Sequence, residues 1–184
     1  MTIRDATRSD SASLAAISIE VWVGTSLRRG VGPVFADYVL RAYTPERMRA
    51  LIANPAQIMV VSDNEEGPDG YVRITPEVDP PLPACRGAEI ATLYVQPCQH
   101  GRGIGRALLR DAFSRCRARG IGSVWLTTNA ENAPAIAFYH RMGFRVVGRT
   151  DFMIDGMGYP NEVLCLDLAN AQGQPQTDDE PTRI

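Results

Sequence analysis

Between residues 95 and 105 the chain reads Val-Gln-Pro-Cys-Gln-His-Gly-Arg-Gly-Ile-Gly, a glycine loop set between an apolar run and a helical pattern. Glycine lacks a Cβ, so its backbone can approach an anion closely, and the free N–H groups of a first helical turn add donors and a positive dipole end. The segment predicts a strand–loop–helix unit that cradles phosphate or pyrophosphate. The competing account is a glycine-rich helix start without a ligand.

Spacing and composition narrow that ligand. A P-loop needs Gly-Lys-Ser/Thr, but all 19 basic residues are arginine, which also removes Schiff-base chemistry. A dinucleotide fingerprint counted from Gly101 and Gly103 meets Arg106 where its third glycine belongs, and no acidic residue ends the next strand pattern, Val124–Thr127. A formal net charge of −2 with scattered arginines argues against a nucleic-acid partner. Cys85, Cys98, Cys116 and Cys165 form no Cys-x-x-Cys pair, and the only histidines, His100 and His140, lie in different segments. No metal site is expected from such spacing.

Periodicity supplies the elements around the loop. A strand is expected at Ile3–Ala6, then a helix capped by Ser9 that carries Leu14, Ile17 and Val21 on one face. Phe35, Val39 and Leu40 suggest a second helix, and Thr44-Pro45 begins a third with Met48, Leu51 and Ile52 inward. Ile58–Ser62 and Tyr71–Thr75 read as a hairpin, Asp79–Pro83 as a rigid loop, and Ala88–Val95 as a strand stopped by Pro97.

After the glycine loop, Leu108, Leu109, Ala112, Phe113 and Cys116 mark the buried face of a long helix that ends at Gly120. Asn132 caps a further helix that stops at Gly143, and Phe144–Gly148 and Glu162–Leu168 close the domain as short strands. A single domain is expected at 1–169, with a mobile polar tail at 170–184. No stretch approaches a membrane span and no leader is visible, so a soluble cytoplasmic protein with no membrane partner is expected.

In Leu93-Tyr94-Val95, Pro97, His100-Gly101-Arg102-Gly103-Ile104-Gly105 and Leu108-Leu109, followed by Asn132, Ala135, Phe138-Tyr139 and Gly143-Phe144, the sequence resembles the GNAT acetyltransferase superfamily over residues 2–168. The resemblance implies an α/β (α+β) fold. Its centre would be a mixed, mostly antiparallel sheet of six or seven strands, flanked by four to five helices and parted at two central strands. It implies acetyl-CoA as co-substrate and an amine as acceptor, and a homodimer is compatible with it. Cofactor contacts would come from Leu93, Tyr94, Val95, His100, Gly101, Arg102, Gly103, Ile104, Gly105, Arg106, Asn132 and Tyr139.

Acetyl transfer to an amine needs a base for the ammonium, a donor to the carbonyl oxygen and a proton for the thiolate. Glu89 is the candidate base, against its plainer reading as a solvated charge at a strand end. Tyr139 is the implied acid, against that of a core tyrosine. The donor is expected at the Val95 N–H, where Pro97 and its neighbours would disturb the ladder. Asn132 would cap its helix and also reach the pantetheine arm. His100 stands where the family usually has Gln or Arg. Its side chain would make acetyl-CoA binding weaken above neutral pH, unless only its backbone takes part. Cys98 is the cysteine nearest the loop, but no activating group is set beside it, so direct transfer in a ternary complex is favoured.

For the acceptor, Trp22, Phe35, Tyr38 and Tyr43 offer an aromatic surface, with core packing the simpler reading for at least two. Asp37, Glu77, Asp79 and Asp155 offer charges of unknown direction. A small-molecule amine comes first; a protein N-terminus or lysine, or an inactive CoA-binding sensor, are the alternatives.

Overall fold

A computed structural model describes residues 1–26 and 30–169. The expected tail at 170–184 lies outside the described residues. The chain runs β1 (Thr2–Asp5), α1 (Ser11–Ser26), α2 (Pro33–Ala42), α3 (Pro45–Ala53), β2 (Ile58–Asp63), β3 (Pro68–Thr75), β4 (Ala88–Val95), α4 (Ile104–Ala118), β5 (Ser123–Asn129), α5 (Ala133–Arg141), β6 (Arg145–Ile154) and β7 (Met157–Asp167). One seven-stranded sheet holds them in the order β1-β2-β3-β4-β5-β7-β6. Every neighbouring pair is antiparallel except β4 with β5.

Strand alternation sends successive side chains to opposite faces, and each face has its own core. Val60, Val72, Ile74, Ala88 and Ile90 meet Leu108, Leu109, Ala112, Phe113 and Cys116 of α4, the inward set expected from the helical period. On the other face Val61 and Tyr71 meet Leu14, Ile17 and Val21 of α1 and Met48 of α3. At roughly 1.5–3 kcal/mol for each fully buried large aliphatic side chain, the two layers are the main force holding the sheet.

Local expectations change at the entry to α1 and at the closing strands, while the second helix falls where expected. The entry to α1 is capped by Thr7, not Ser9: a short 3-10 turn at Arg8–Asp10 precedes the helix, and the Thr7 N–H donates to the Asp10 carboxylate at 2.7 Å. Asp10 is the better partner because its carboxylate also takes two bonds from Arg4. Leu40 faces outward at 62% exposure, since the turn of α2 that buries Val39 points Leu40 away.

The closing strands are much longer than the sequence pattern suggests. Ile154 pairs with Met157 across the two-residue turn Asp155-Gly156, whose φ values of 50° and 80° are both positive. Such a turn matches the right-handed strand twist and favours Asp-Gly. β5 pairs with β7 only over Asn161–Asp167, so the hairpin tip runs on past β5. There Ile154 and Tyr159 pack with Trp22, Phe35 and Tyr38 of α1 and α2.

The loop between β3 and β4 lies over β5 and β7 through Leu82 and Cys85, which pack on Trp125 and Val163. The thiols of Cys85 and Cys165 stand 2.6 Å apart there.

Candidate active site

Two register pairs, Ala88 with Val124 and Glu89 with Trp125, are all that join β4 to β5. Beyond them the strands part and leave a wedge in the sheet. Gln96 donates its N–H to Asp69 O on the β3 side, so alternation turns the peptide groups of Leu93 and Val95 the other way, into the wedge. The side chains of Leu93 and Val95 pack on the α4 face. The peptide of Tyr94 faces β3, and its phenol crosses to the α1 face, where it meets the Tyr43 hydroxyl at 3.1 Å.

The ladder irregularity expected at Val95 lies at Ala91. Thr92 pairs with Arg73 and Ile90 with Ile74, so Ala91 is an extra residue in β4, while Val95 keeps register with Gly70. Pro97 falls beyond the last ladder bond, made by Gln96, and its missing N–H therefore disturbs nothing. A bulge re-aims peptide groups. Here it does so deep in the wedge, two residues from Glu89.

At the mouth, Gly101 and Gly103 have φ of 78° and 79°, and a Cβ on either would meet open space. Positive φ lets the loop fold back with its amides outward, and Gly103 is the N-cap of α4. The first bond back to the loop is Ala107 N–H to Gly103 O, so the N–H groups of Ile104, Gly105 and Arg106 have no helical acceptor. This fits a diphosphate. Gly105 has a different reason to be glycine: a Cβ there would stand 3.3 Å from the Phe138 ring of α5. Arg106 lines the cleft, and Arg102 is exposed outside its lining.

His100 turns its ring back on the strand, with Nε2 3.0 Å from Val95 O. A carbonyl only accepts, so Nε2 carries the proton, and the ring ties the loop to the end of β4. Cys98 is exposed and stands outside the cleft lining.

On the far wall Asn132 accepts the Ala135 N–H through Oδ1 at 3.3 Å, and its Nδ2 has no partner among the described residues. Tyr139 is buried, wedged between Phe138 and Phe144, and its hydroxyl likewise has no protein partner among the described residues. Burial raises its pKa well above that of a free tyrosine, so the phenol stays protonated near neutral pH. Glu89 is half-buried on the opposite face from Ile90. Burial raises its carboxyl pKa, and Arg73 offsets part of that rise. Glu89 and Tyr139 both line one cleft of about 2470 Å3 that runs from the glycine loop to the aromatic residues of α1 and α2.

Several cleft residues carry no motif in the sequence: Arg73 on β3, and Arg149, Phe152, Tyr159 and Asn161 on the long hairpin. Asp-Gly at 155–156 is the signal that would have placed the hairpin residues. The acids Asp37, Glu77, Asp79 and Asp155 do not line the cleft, nor does any residue of the 76–87 loop. Trp22 is buried, its ring tilted against Phe35 and Tyr38, and all three line the cleft. Among the described residues no cluster of His, Cys, Asp or Glu could hold a metal ion, and no helix is long and apolar enough to cross a membrane.

Comparison with known proteins gives the same frame. The family model described as Acetyltransferase (GNAT) family matches residues 26–144. The streptothricin acetyltransferase of Streptomyces lavendulae is 41% identical over 73 residues, a match that spans 40% of this chain and 39% of that protein. A peptidyl-lysine N-acetyltransferase of Salmonella typhimurium is 28% identical over 135 residues, 71% of this chain and 79% of the other. The PaiA N-acetyltransferase of Thermoplasma acidophilum, solved with coenzyme A, superposes with a TM-score of 0.67 at 19% identity over 88% of this chain and 96% of that one. This last likeness is one of fold.

Proposed function

The chain belongs to the GNAT acetyltransferase family, and from that premise we propose that it transfers the acetyl group of acetyl-CoA to a primary amine on a small molecule, directly and within a ternary complex. The observation that carries this reading is the wedge between β4 and β5. It joins the open amides of α4 to the Tyr139 hydroxyl and to Glu89 in one continuous cleft.

Bound acetyl-CoA supplies an activated acyl carbon on a thiol leaving group. The N–H groups of Gly103 to Arg106 hold the diphosphate against the helix dipole. The peptide groups of Leu93 and Val95 pair with the pantetheine arm as an added strand would, and Asn132 Nδ2 meets the arm from the other side. The Ala91 bulge, rather than Val95, supplies the N–H donor for the carbonyl oxygen, because the acyl end lies at the Glu89 side of the wedge.

Glu89 takes one proton from the acceptor ammonium, and the freed lone pair forms the nitrogen–carbon bond as the carbon–sulfur bond breaks. Tyr139 gives its proton to the sulfur, then recovers one as the new amide nitrogen loses its second proton. The net yield is an acetamide, a free thiol and one proton. Cys98 has no part in this, being outside the cleft.

The aromatic wall at one end of the cleft supports a compact acceptor over a protein chain. Thiol release from acetyl-CoA, measured across small amines and across peptides with free N-termini and lysines, tests the reading. Turnover with small amines supports it. Turnover with peptides alone would replace it with protein acetylation, and cofactor binding without turnover on any amine would make the chain a sensor.

A further inference from the structure

The charges that line the cleft are unbalanced. Its acids are Glu89 and Glu131, against Arg47, Arg73, Arg106, Arg141 and Arg149. Arg106 and Arg141 belong to the cofactor end, on α4 and α5, Arg149 is paired with Glu162 at 2.7 Å, and Arg47 on α3 is exposed and donates to Arg41 O at 2.8 Å. Arg73 is different. It has no carboxylate within ion-pair distance among the described residues, and it stands on β3 deep in the acceptor side.

Its guanidinium is also held in place. Nη1 donates to Gln57 Oε1 at 3.1 Å and to Thr75 Oγ1 at 3.2 Å, while Thr75 itself donates to Gln57. Nε and Nη2 have no partner among the described residues. Thr75 is the register partner of Glu89, and Arg73 and Thr75 share a face of β3. The guanidinium therefore leans along the strand toward the Glu89 carboxylate, near enough to act on its ionisation without pairing with it.

A preset cation and a half-buried carboxylate on one face of adjacent strands form a bipolar site. Resting on the acetyltransferase reading above, we propose that the acceptor is an amino acid-like molecule: its ammonium faces Glu89, its carboxylate is held by the free edge of Arg73, and its side chain extends toward the aromatic wall of Tyr38 and Phe152. A guanidinium presents two parallel N–H donors that match a carboxylate. The same charge repels a polycation, for which this cleft offers no second carboxylate near Glu89. The Tyr38 and Phe152 rings meet edge-on at 5.7 Å and give an apolar or aromatic side chain a surface to cover.

Matched acceptors test the proposal: phenylalanine against phenethylamine, methionine against 3-(methylthio)propylamine, and spermidine as the polycation, each followed by thiol release from acetyl-CoA. In the wild-type enzyme the amino acid should exceed its decarboxylated partner in kcat/KM by about 10- to 100-fold, the value of a charge-assisted bond pair. Arg73→Gln should bring that ratio to about one, mainly through KM, and Arg73→Lys should restore part of it. Melting temperature and coenzyme A affinity, unchanged in both variants, exclude loss of folding as the cause.

Phenethylamine or spermidine used as well as the amino acids, or a ratio that survives in Arg73→Gln, would overturn the proposal and leave the acetyltransferase reading standing. No thiol release with any amine would overturn both.

Discussion

Glu89 and Trp125 form the last register pair between β4 and β5, and the carboxylate of Glu89 stands where the sheet begins to open. The fold therefore sets its candidate base at the closed end of the wedge and the candidate anion-binding amides of α4 at the open end. The proposed acetyl-CoA would lie between them.

The candidate acid is the simplest to isolate. Tyr139→Phe removes a hydroxyl that has no protein partner among the described residues, so the melting temperature should hold within about a degree. The kcat should fall by roughly 10²- to 10³-fold while the KM for acetyl-CoA stays near its original value. Steady-state kinetics with a thermal melt on the same preparation checks both halves.

Glu89 carries a double signature because its carboxyl pKa is raised by burial. As a base it must be ionised, so kcat/KM should rise with pH through an inflection above the ordinary carboxylate range. The stability effect has the opposite sign. A folded-state pKa above the unfolded one means that the folded form binds the proton more tightly, so stability falls as pH rises between the two values and stays lowered at neutral pH. Glu89→Gln should thus lose about 10²- to 10⁴-fold in kcat, lose the acid inflection, and melt at or above the wild-type temperature at pH 7.

His100 bonds Val95 O through Nε2, an arrangement that serves the neutral and the protonated ring alike. Coenzyme A affinity at pH 7 and pH 8.5 should accordingly agree within about twofold, measured by calorimetry. His100→Ala, which frees the loop from β4, should weaken binding about 3- to 10-fold at both, as the loss of one hydrogen bond does. A steep loss above neutral in the wild type alone would restore a direct contact between the ring and the phosphates.

Far from the cleft, Arg4 bonds Asp10 and Asp63 and so ties β1, the entry to α1 and β2 together. Arg4, opposed by burial and helped by Thr7, brings the Asp10 carboxyl down to about 2. A depressed carboxylate contributes its stability above the unfolded pKa and loses it as pH falls through the folded one. Asp10→Asn should cost about 1–3 kcal/mol at pH 7, or several degrees of melting temperature. Its deficit should shrink between about pH 4 and pH 2 in an acid titration.

Much of this was legible before any fold was known, for local reasons. The ends of β4, the inward face of α4 and the Asn132 cap each follow from periodicity or from a capping residue within a few positions. The wedge was only implied by resemblance, because where two strands part depends on partners far along the chain. The hairpin tip leaves little trace in the sequence because its flanks, Met153, Met157 and Gly158 among them, are exposed and break the alternation that marks a half-buried strand. Only Asp155-Gly156 announced it. Arg73 reads as an ordinary strand residue; what distinguishes it is a guanidinium held by Gln57 and Thr75 with no paired carboxylate among the described residues, which no sequence displays.

The acetyltransferase reading requires coenzyme A to lie in the wedge with its diphosphate on the first amides of α4. Calorimetric titration of coenzyme A into the wild type and into Gly103→Val tests it most directly, since a β-branched residue at φ 79° must move that turn. A wild-type Kd in the micromolar range, weakened at least about tenfold by the substitution, is the expected result. No heat at millimolar coenzyme A, or the same Kd for both proteins, would contradict it.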